Sequence, residues 1–266
     1  GDRVTLVTER ARALPLCFGI EEGIMMNIDP TKTVREIALE LPNATHIFER
    51  FKIDYCCGGD KSLSEACQAV GADPREVAQS LAEASGRLDE PSVDFRAVSL
   101  ADLIDHIVAK HHAYTRQEME RLGPLFQKVC AAHGEKHPEL LAMREVFGQM
   151  CAELEAHMFK EERVLFPYII KLERADERDS LPPLFGGLSN PVRVMIAEHD
   201  SSGEDLRKLR RLSADYAAPD DACTSYRVLY RSLEELERDL HRHIHLENNI
   251  LFPRALKLEE EIGAAK

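Results

Sequence analysis

The residues best placed to do chemistry in this 266-residue chain are histidines and glutamates set at helical intervals. His157 to Pro167 reads HMFKEERVLFP, and His243 to Pro253 reads HIHLENNILFP. Both are H-x-x-x-E-x-x-x-L-F-P, 86 positions apart. Upstream of each lies another histidine in similar company: VAKHH ends on His112 and MIAEH on His199, 87 positions apart. Four positions along an α-helix amount to about 40° past a full turn, so His157 and Glu161 share a face, as do His243 and Glu247. Leu165 and Leu251 extend those faces, which turns both pairs toward an apolar core. Buried imidazoles and carboxylates need a compensating charge, and a metal supplies it. Four imidazoles and two carboxylates suit two transition-metal ions, with each Glu able to bridge both. A mixed N/O set without thiolate fits iron or manganese better than tetrahedral zinc, and its imidazole content leans toward iron. The spacing is not the Glu-x-x-His of ferritin-like bundles. Six protein donors also leave room for a bridging oxide or hydroxide and an exogenous ligand. One H-x-x-x-E means little; two copies with the same L-F-P tail and a paired upstream His carry the reading.

The elements that must position these residues are helices. Thr33-x-x-Glu36, Ser62-x-x-Glu65 and Asp73-Pro74-x-Glu76 are N-terminal capping patterns, each followed by a short helical stretch. They predict a small domain of short helices over 28–85, with an uncertain extension over 1–27 that reads as a remnant or an extended start. The polar segment 86–98, which contains Pro91, reads as a linker. Long helices are predicted near 99–130, 138–173, 190–214 and 222–260, which makes an all-α chain whose region 99–260 is an antiparallel four-helix bundle. Two similar helix pairs related by a pseudo-twofold would aim both His/Glu sets at one centre. The other histidines are expected to stand aside. His241 and His245 lie about 160° from His243 on the helix wheel and should face solvent. His106 and His111 are off the repeat register, and His133 and His137 fall in a loop.

Composition narrows the field. Hydrophobic residues at 44% and charged residues at 30% describe a globular chain. No run approaches the ~20 apolar residues of a membrane span. A net charge of −13 argues against a nucleic-acid surface, which needs a basic face. Seven cysteines without framework spacing, and no visible signal peptide, lead us to expect a reduced, cytoplasmic protein. Cys56 and Cys57 are adjacent and precede Gly58-Gly59. Their Cα atoms stand only about 3.8 Å apart, short for a disulfide, so a bond between them would be strained and easily reduced. The pair reads equally as a redox, metal-transfer or nitrosation-sensitive dithiol, or as two small residues packed before a turn. Cys17, Cys67, Cys130, Cys151 and Cys223 read as packing residues.

The D-Y-C-C-G-G element at 54–59, followed by H-x-x-x-E-E-x-x-L-F-P and H-x-x-L-E-N-N-x-L-F-P-R, resembles the Repair of Iron Centres family. These are bacterial iron–sulfur cluster repair di-iron proteins with a hemerythrin-like domain, and the likeness runs from Thr33 to Leu256. The resemblance implies a non-haem di-iron centre with an oxo or hydroxo bridge. Glu161 and Glu247 would bridge, with His112, His157, His199 and His243 as terminal ligands. It maps the family's thiol pair to Cys56 and Cys57, and its acidic iron exit route to Glu153 and Glu198. Thr115 departs from relatives that carry a further His three residues after the first ligand. The implied role is stress response: restoring iron–sulfur clusters damaged by nitric oxide or oxidants by donating iron from a labile centre. The partners would be damaged iron–sulfur proteins or cluster scaffolds, with nitric oxide as a small ligand and a homodimer as the assembly. The open coordination positions also admit a redox enzyme acting on nitrite or nitric oxide. A hemerythrin-like carrier or sensor of oxygen or nitric oxide is a third reading, although no fifth His stands in register.

Overall fold

A computed structural model describes residues 28–41, 43–85, 94–174 and 186–264. The N-terminal extension and most of the 86–98 linker lie outside those residues, as does Cys17. Among the described residues there are eight helices, and the one β feature is an isolated antiparallel bridge between Thr33 and Ser62. None of these helices is long and apolar enough to cross a membrane.

The small domain holds α1 (Val34–Glu40), α2 (Ala44–Phe51), α3 (Leu63–Val70) and α4 (Pro74–Ser85). Its capping signals work as the sequence predicts. Thr33 and Ser62 each accept from the backbone N–H of the glutamate three residues on, and that glutamate accepts from the cap's own N–H. Asp73 accepts from Arg75 N–H (2.9 Å) ahead of Pro74 at the first helical position. The helices close over a core of Val34, Ile37, Phe48, Tyr55, Leu63 and Leu81.

The bundle has four long helices. α5 runs as Leu100–His106, a π-helical segment Ile107–His112, and Ala113–His133. α6 runs as Glu139–Lys160, a π segment Glu161–Leu165, and Phe166–Arg174. α7 is Ser189–Leu212. α8 runs as Thr224–Leu246, a π segment Glu247–Leu251, and Phe252–Ala264. His133 therefore closes a helix instead of lying in a loop, and α8 extends past 260. The expected packing role fails for Cys223, which is exposed ahead of α8.

The repeat reaches further than its motif. Glu173 accepts from Leu100 N–H (2.6 Å) and Ala101 N–H (2.9 Å), tying the end of α6 to the start of α5. Glu259, again 86 positions on, accepts from Leu188 N–H (2.8 Å) and ties the end of α8 to the start of α7. In each half a carboxylate thus meets the free N–H groups at a neighbouring helix start.

Two apolar layers fill the bundle. One holds Leu122, Phe126, Met143, Met150, Leu206 and Tyr226; the other holds Leu103, Ile107, Phe166, Ile169, Val192 and Phe252. Along every bundle helix the repeat histidine falls between members of the two layers, so a polar stratum is sandwiched between two dry ones.

Candidate metal centre

The structure brings all six repeat residues together in that stratum. His112, His157, Glu161, His199, His243 and Glu247 are all buried, and both carboxylates are fully so. They form two overlapping groups: His112, His243, Glu161 and Glu247; and His157, His199, Glu161 and Glu247. The carboxylates are common to both. Nε2 of His112 lies 3.1 Å from Nε2 of His243, and Nε2 of His157 lies 2.9 Å from Nε2 of His199. Glu161 offers one oxygen to each group, 3.1 Å from His157 and 3.4 Å from His112. Glu247 does likewise, 3.1 Å from His243 and 3.1 Å from His199.

Hydrogen bonds on the far side of the rings fix which nitrogen carries the proton. His112 Nδ1–H donates to Glu162 (2.7 Å), His157 Nδ1–H to Glu198 (2.8 Å) and His199 Nδ1–H to Asn248 Oδ1 (2.8 Å). In the neutral ring each Nε2 is left as a lone pair aimed at the centre. Without added protons or metal ions, lone pairs would face lone pairs there. Both oxygens of Glu161 and Oε2 of Glu247 are buried without a hydrogen-bond partner, which a satisfied core would not tolerate. The arrangement fits two cations, one for each group.

The protonation balance leads to the same place. His112 is pushed up to about 10: burial opposes its charge, but the Glu161 and Glu247 carboxylates outweigh burial. His157 is pushed up to about 9 against burial, chiefly by Glu161. Burial pushes His243 down, and Glu247 is held well below the carboxylate range by His243, His112 and His199 despite its burial. Protons on His112 and His157 thus balance two buried carboxylates in the metal-free chain, and metal ions would displace them.

Three of the six residues sit at the edge of a π segment: His112 ends one, and Glu161 and Glu247 begin the others. Phe166 N–H bonds to the carbonyl of Glu161 and Phe252 N–H to that of Glu247, each five residues back. The widened turn lets the helix absorb Pro167 and Pro253, which follow at once and have no N–H to give.

Several residues near the centre were not anticipated. Phe166 stacks on His112 with ring centroids 5.8 Å apart, and Phe252 on His199 at 6.1 Å. The Phe of each L-F-P therefore supports the upstream histidine on a neighbouring helix. Glu162 and Asn248 occupy the same repeat position, which the 86-residue offset could have disclosed. His111 stands where the offset between upstream histidines places Glu198; it stacks on His243 at 5.7 Å and meets Asp239 at 3.0 Å. His243 Nδ1 has no partner, so the two halves differ at this point. Thr115 is buried with its Oγ1 unpartnered.

The expectation that His241 and His245 face solvent is overturned. His245 is buried, and residues 243 to 252 are buried without a break. The small domain covers the outer side of α8: Tyr55 packs on both rings, and His241 Nδ1 meets Glu49 at 2.9 Å. Arg35 donates to Asn249 Oδ1 (2.6 Å), and Asn249 donates to the carbonyl of Tyr55 (3.0 Å).

This docking places the cysteine pair beside the centre. Asp54 Oδ1 accepts from the backbone N–H groups of Cys56 (3.2 Å), Cys57 (2.9 Å) and Gly58 (3.0 Å), which closes the loop. A Cβ on Gly58 would stand 3.1 Å from the Asp54 carbonyl oxygen, a close approach that glycine relieves. The sulfurs are 3.8 Å apart, and Cys57 Sγ is 3.8 Å from the carbonyl oxygen of His199. The contact with Cys57, burial and the nearby Asp54 push the Cys56 thiol up.

Glu198 and Glu153 line an opening of about 630 Å³ that reaches His157, with Lys160 and Arg193 on its rim. Glu198 joins His157 to Lys160, and Glu153 is exposed, accepting from Gln149 (2.9 Å) and Ser201 (3.3 Å).

Comparison with known proteins agrees with this geometry. Residues 103–255 match the Hemerythrin HHE cation binding domain, and residues 30–85 match ScdA_N, a Domain of Unknown function (DUF542). The chain is 35% identical over 222 residues to a probable iron-sulfur cluster repair protein of Haemophilus influenzae, spanning 83% of this chain and 95% of the relative. It is 31% identical to iron-sulfur cluster repair protein ScdA of Staphylococcus haemolyticus, over 82% of this chain and 95% of that one. It is 35% identical to iron-sulfur cluster repair protein YtfE of Salmonella paratyphi B, over 83% and 94%. The HHE match and the two buried His/Glu groups together fit a non-haem di-iron site. With most of its length aligned to such relatives, the chain belongs to the Repair of Iron Centres family, the iron–sulfur cluster repair proteins with a hemerythrin-like domain.

Proposed function

We propose that this chain holds two exchangeable iron ions and donates iron to damaged iron–sulfur clusters. The observation that carries the reading is the pair of His/His/Glu/Glu groups sharing both carboxylates. In this reading His112 and His243 would hold one ion and His157 and His199 the other, with Glu161 and Glu247 shared between them. An oxo or hydroxo group would be the further ligand. When bound, the ions supply a one-electron couple and the cargo itself. The protein's residues do the rest. Glu162, Glu198 and Asn248 fix the imidazole orientation, the apolar layers exclude water, and Glu161 and Glu247 would take up a proton as an ion leaves. The opening at Glu198 and Glu153 is the exit route, and Cys56 and Cys57 receive iron or pass reducing equivalents.

The relatives' names support clusters as the target, so the partners are damaged iron–sulfur proteins or cluster scaffolds. Nitric oxide is the small ligand, a homodimer the assembly, and the cytoplasm the setting. The test is anaerobic incubation of the iron-loaded chain with a [4Fe–4S] enzyme inactivated by nitric oxide. Recovery of that enzyme with matching iron loss from this chain is expected. Repeated reduction of nitrite or nitric oxide with iron fully retained, and no cluster recovery, would replace donation with catalysis.

A further inference from the structure

We propose that Asn248 couples the Cys56–Cys57 loop to the metal centre, so that displacing the loop frees the ion held by His157 and His199. The inference rests on the iron-holding reading above and adds to it how release is regulated.

Asn248 is buried and both ends of its carboxamide are engaged. Its oxygen accepts from His199 Nδ1–H at 2.8 Å, and its Nδ2 donates to the carbonyl of Cys56 at 3.3 Å. The orientation is determined from both sides. A flipped amide would face N–H with N–H at His199 and oxygen with oxygen at Cys56. The loop holds the same histidine at a second point, since Cys57 Sγ lies 3.8 Å from the His199 carbonyl. The thiol packs against α7 one turn further along, where a Cβ on Gly203 would stand in ordinary contact with Cys57 Sγ at 3.7 Å. Ring and backbone of one ligand residue are therefore both held by the cysteine loop.

The other imidazoles lack such a connection. His112 and His157 are oriented by Glu162 and Glu198, which belong to the bundle itself, and His243 Nδ1 has no partner. Only His199 depends on the other domain for its orientation among the described residues. Its group also contains His157, the ligand that reaches the 630 Å³ opening. Cys57 is part-exposed and so can be reached from solvent. Asn248 is thus a positioning residue, and the loop it reads is accessible to reagents that modify thiols.

The test uses the iron-loaded full chain in a Cys17→Ser/Cys151→Ser/Cys223→Ser background, which leaves Cys57 as the one part-exposed thiol among the described residues. Iodoacetamide alkylates Cys57: an S–C bond forms, iodide leaves, and the thiol proton goes to solvent. Peptide mass spectrometry verifies the site, and iron transfer to a colorimetric chelator is followed with the absorption spectrum. Alkylation is expected to speed loss of one ion per chain by roughly ten-fold, the scale of a lost support to a metal-bound imidazole. Asn248→Leu should release that ion quickly before alkylation and show no further response. Asn248→Asp keeps an acceptor for His199 but loses the donor to Cys56, so it should retain both ions and release slowly whether alkylated or not. An alkylated parent that releases iron at the unmodified rate would overturn the coupling, as would an Asn248→Asp chain that responds like the parent. Loss of coupling with cluster repair intact sinks this inference alone; intact coupling without repair sinks the proposed function alone.

Discussion

The Phe252 ring lies nearly parallel to the His199 imidazole, with centroids 6.1 Å apart and planes 8° apart. Phe166 does the same for His112, at 5.8 Å and 21°. Both rings belong to the apolar layer beneath the centre. Each thus anchors an imidazole from below while a hydrogen bond at Nδ1 sets its direction from the side. Phe252→Ala should lower the stability of the metal-free chain by about 3 kcal/mol or more through cavity formation. It should also shorten iron retention against a chelator. Urea titration and timed chelation check both; unchanged retention would show that the stacking does not position His199.

Glu161 is shared between the two groups, so its loss should affect both ions. Glu161→Gln keeps the volume but removes the charge, and its iron content should fall from about two per chain to one or fewer. The metal-free fold should survive, because His112 and His157 can give up the protons that the carboxylate now attracts. Iron analysis beside circular dichroism separates these outcomes. A folded variant with full iron would remove Glu161 from the ligand set.

Supports behind the rings should matter almost as much as the rings. Glu162→Gln and Glu198→Gln each exchange a carboxylate partner of a clustered imidazole for an amide, and each should weaken iron binding by roughly 10-fold or more. Competition titration against a chelator of known affinity measures the change. Equal affinity in parent and both variants would contradict the assigned roles.

The domain interface should respond to pH in two directions. His241 faces Glu49, Glu237 and the Tyr55 ring. Burial opposes its charge, but Glu49 raises it above the usual histidine value. Its contribution is complete below about pH 6.5 and is lost as pH rises through the raised value. His245 faces Arg35, Asn249 and the carbonyl of Tyr55; burial, with Arg35, pushes it down to about 4. Its contribution is complete above about pH 6.5 and is lost as pH falls toward 4, by at most about 3 kcal/mol. Calorimetry of the iron-loaded chain, where metal would displace the protons on His112 and His157, should therefore find the docked form most stable near pH 6.5. His241→Gln should flatten the alkaline limb and His245→Asn the acid limb; limbs that persist in both variants would place the titrating groups elsewhere.

The sequence made the helices and the six converging residues legible because caps and 3.6-residue periodicity are local, and the 86-residue repeat is visible without a fold. What lay outside local reasoning was the face of α8 opposite the core. Helix periodicity assigns that face to solvent, yet Tyr55 and Glu49, nearly two hundred residues earlier, cover it. The same blind spot hid Asn248 and Asn249, whose partners are backbone carbonyls of the cysteine loop. The π segments escaped because a single inserted residue leaves little mark on periodicity, although a Pro directly after Leu-Phe in both copies was a signal. Cys223 read as packing only because it had no paired spacing; its place just before α8 leaves it in solvent.

The central claim is that two ions share Glu161 and Glu247. Its most direct test is metal analysis of the purified chain loaded anaerobically with ferrous iron, beside a Glu161→Ala/Glu247→Ala variant. We expect about two irons per chain in the parent and essentially none in a variant that remains helical. A parent that stays iron-free, or a variant that binds iron as fully as the parent, would contradict it.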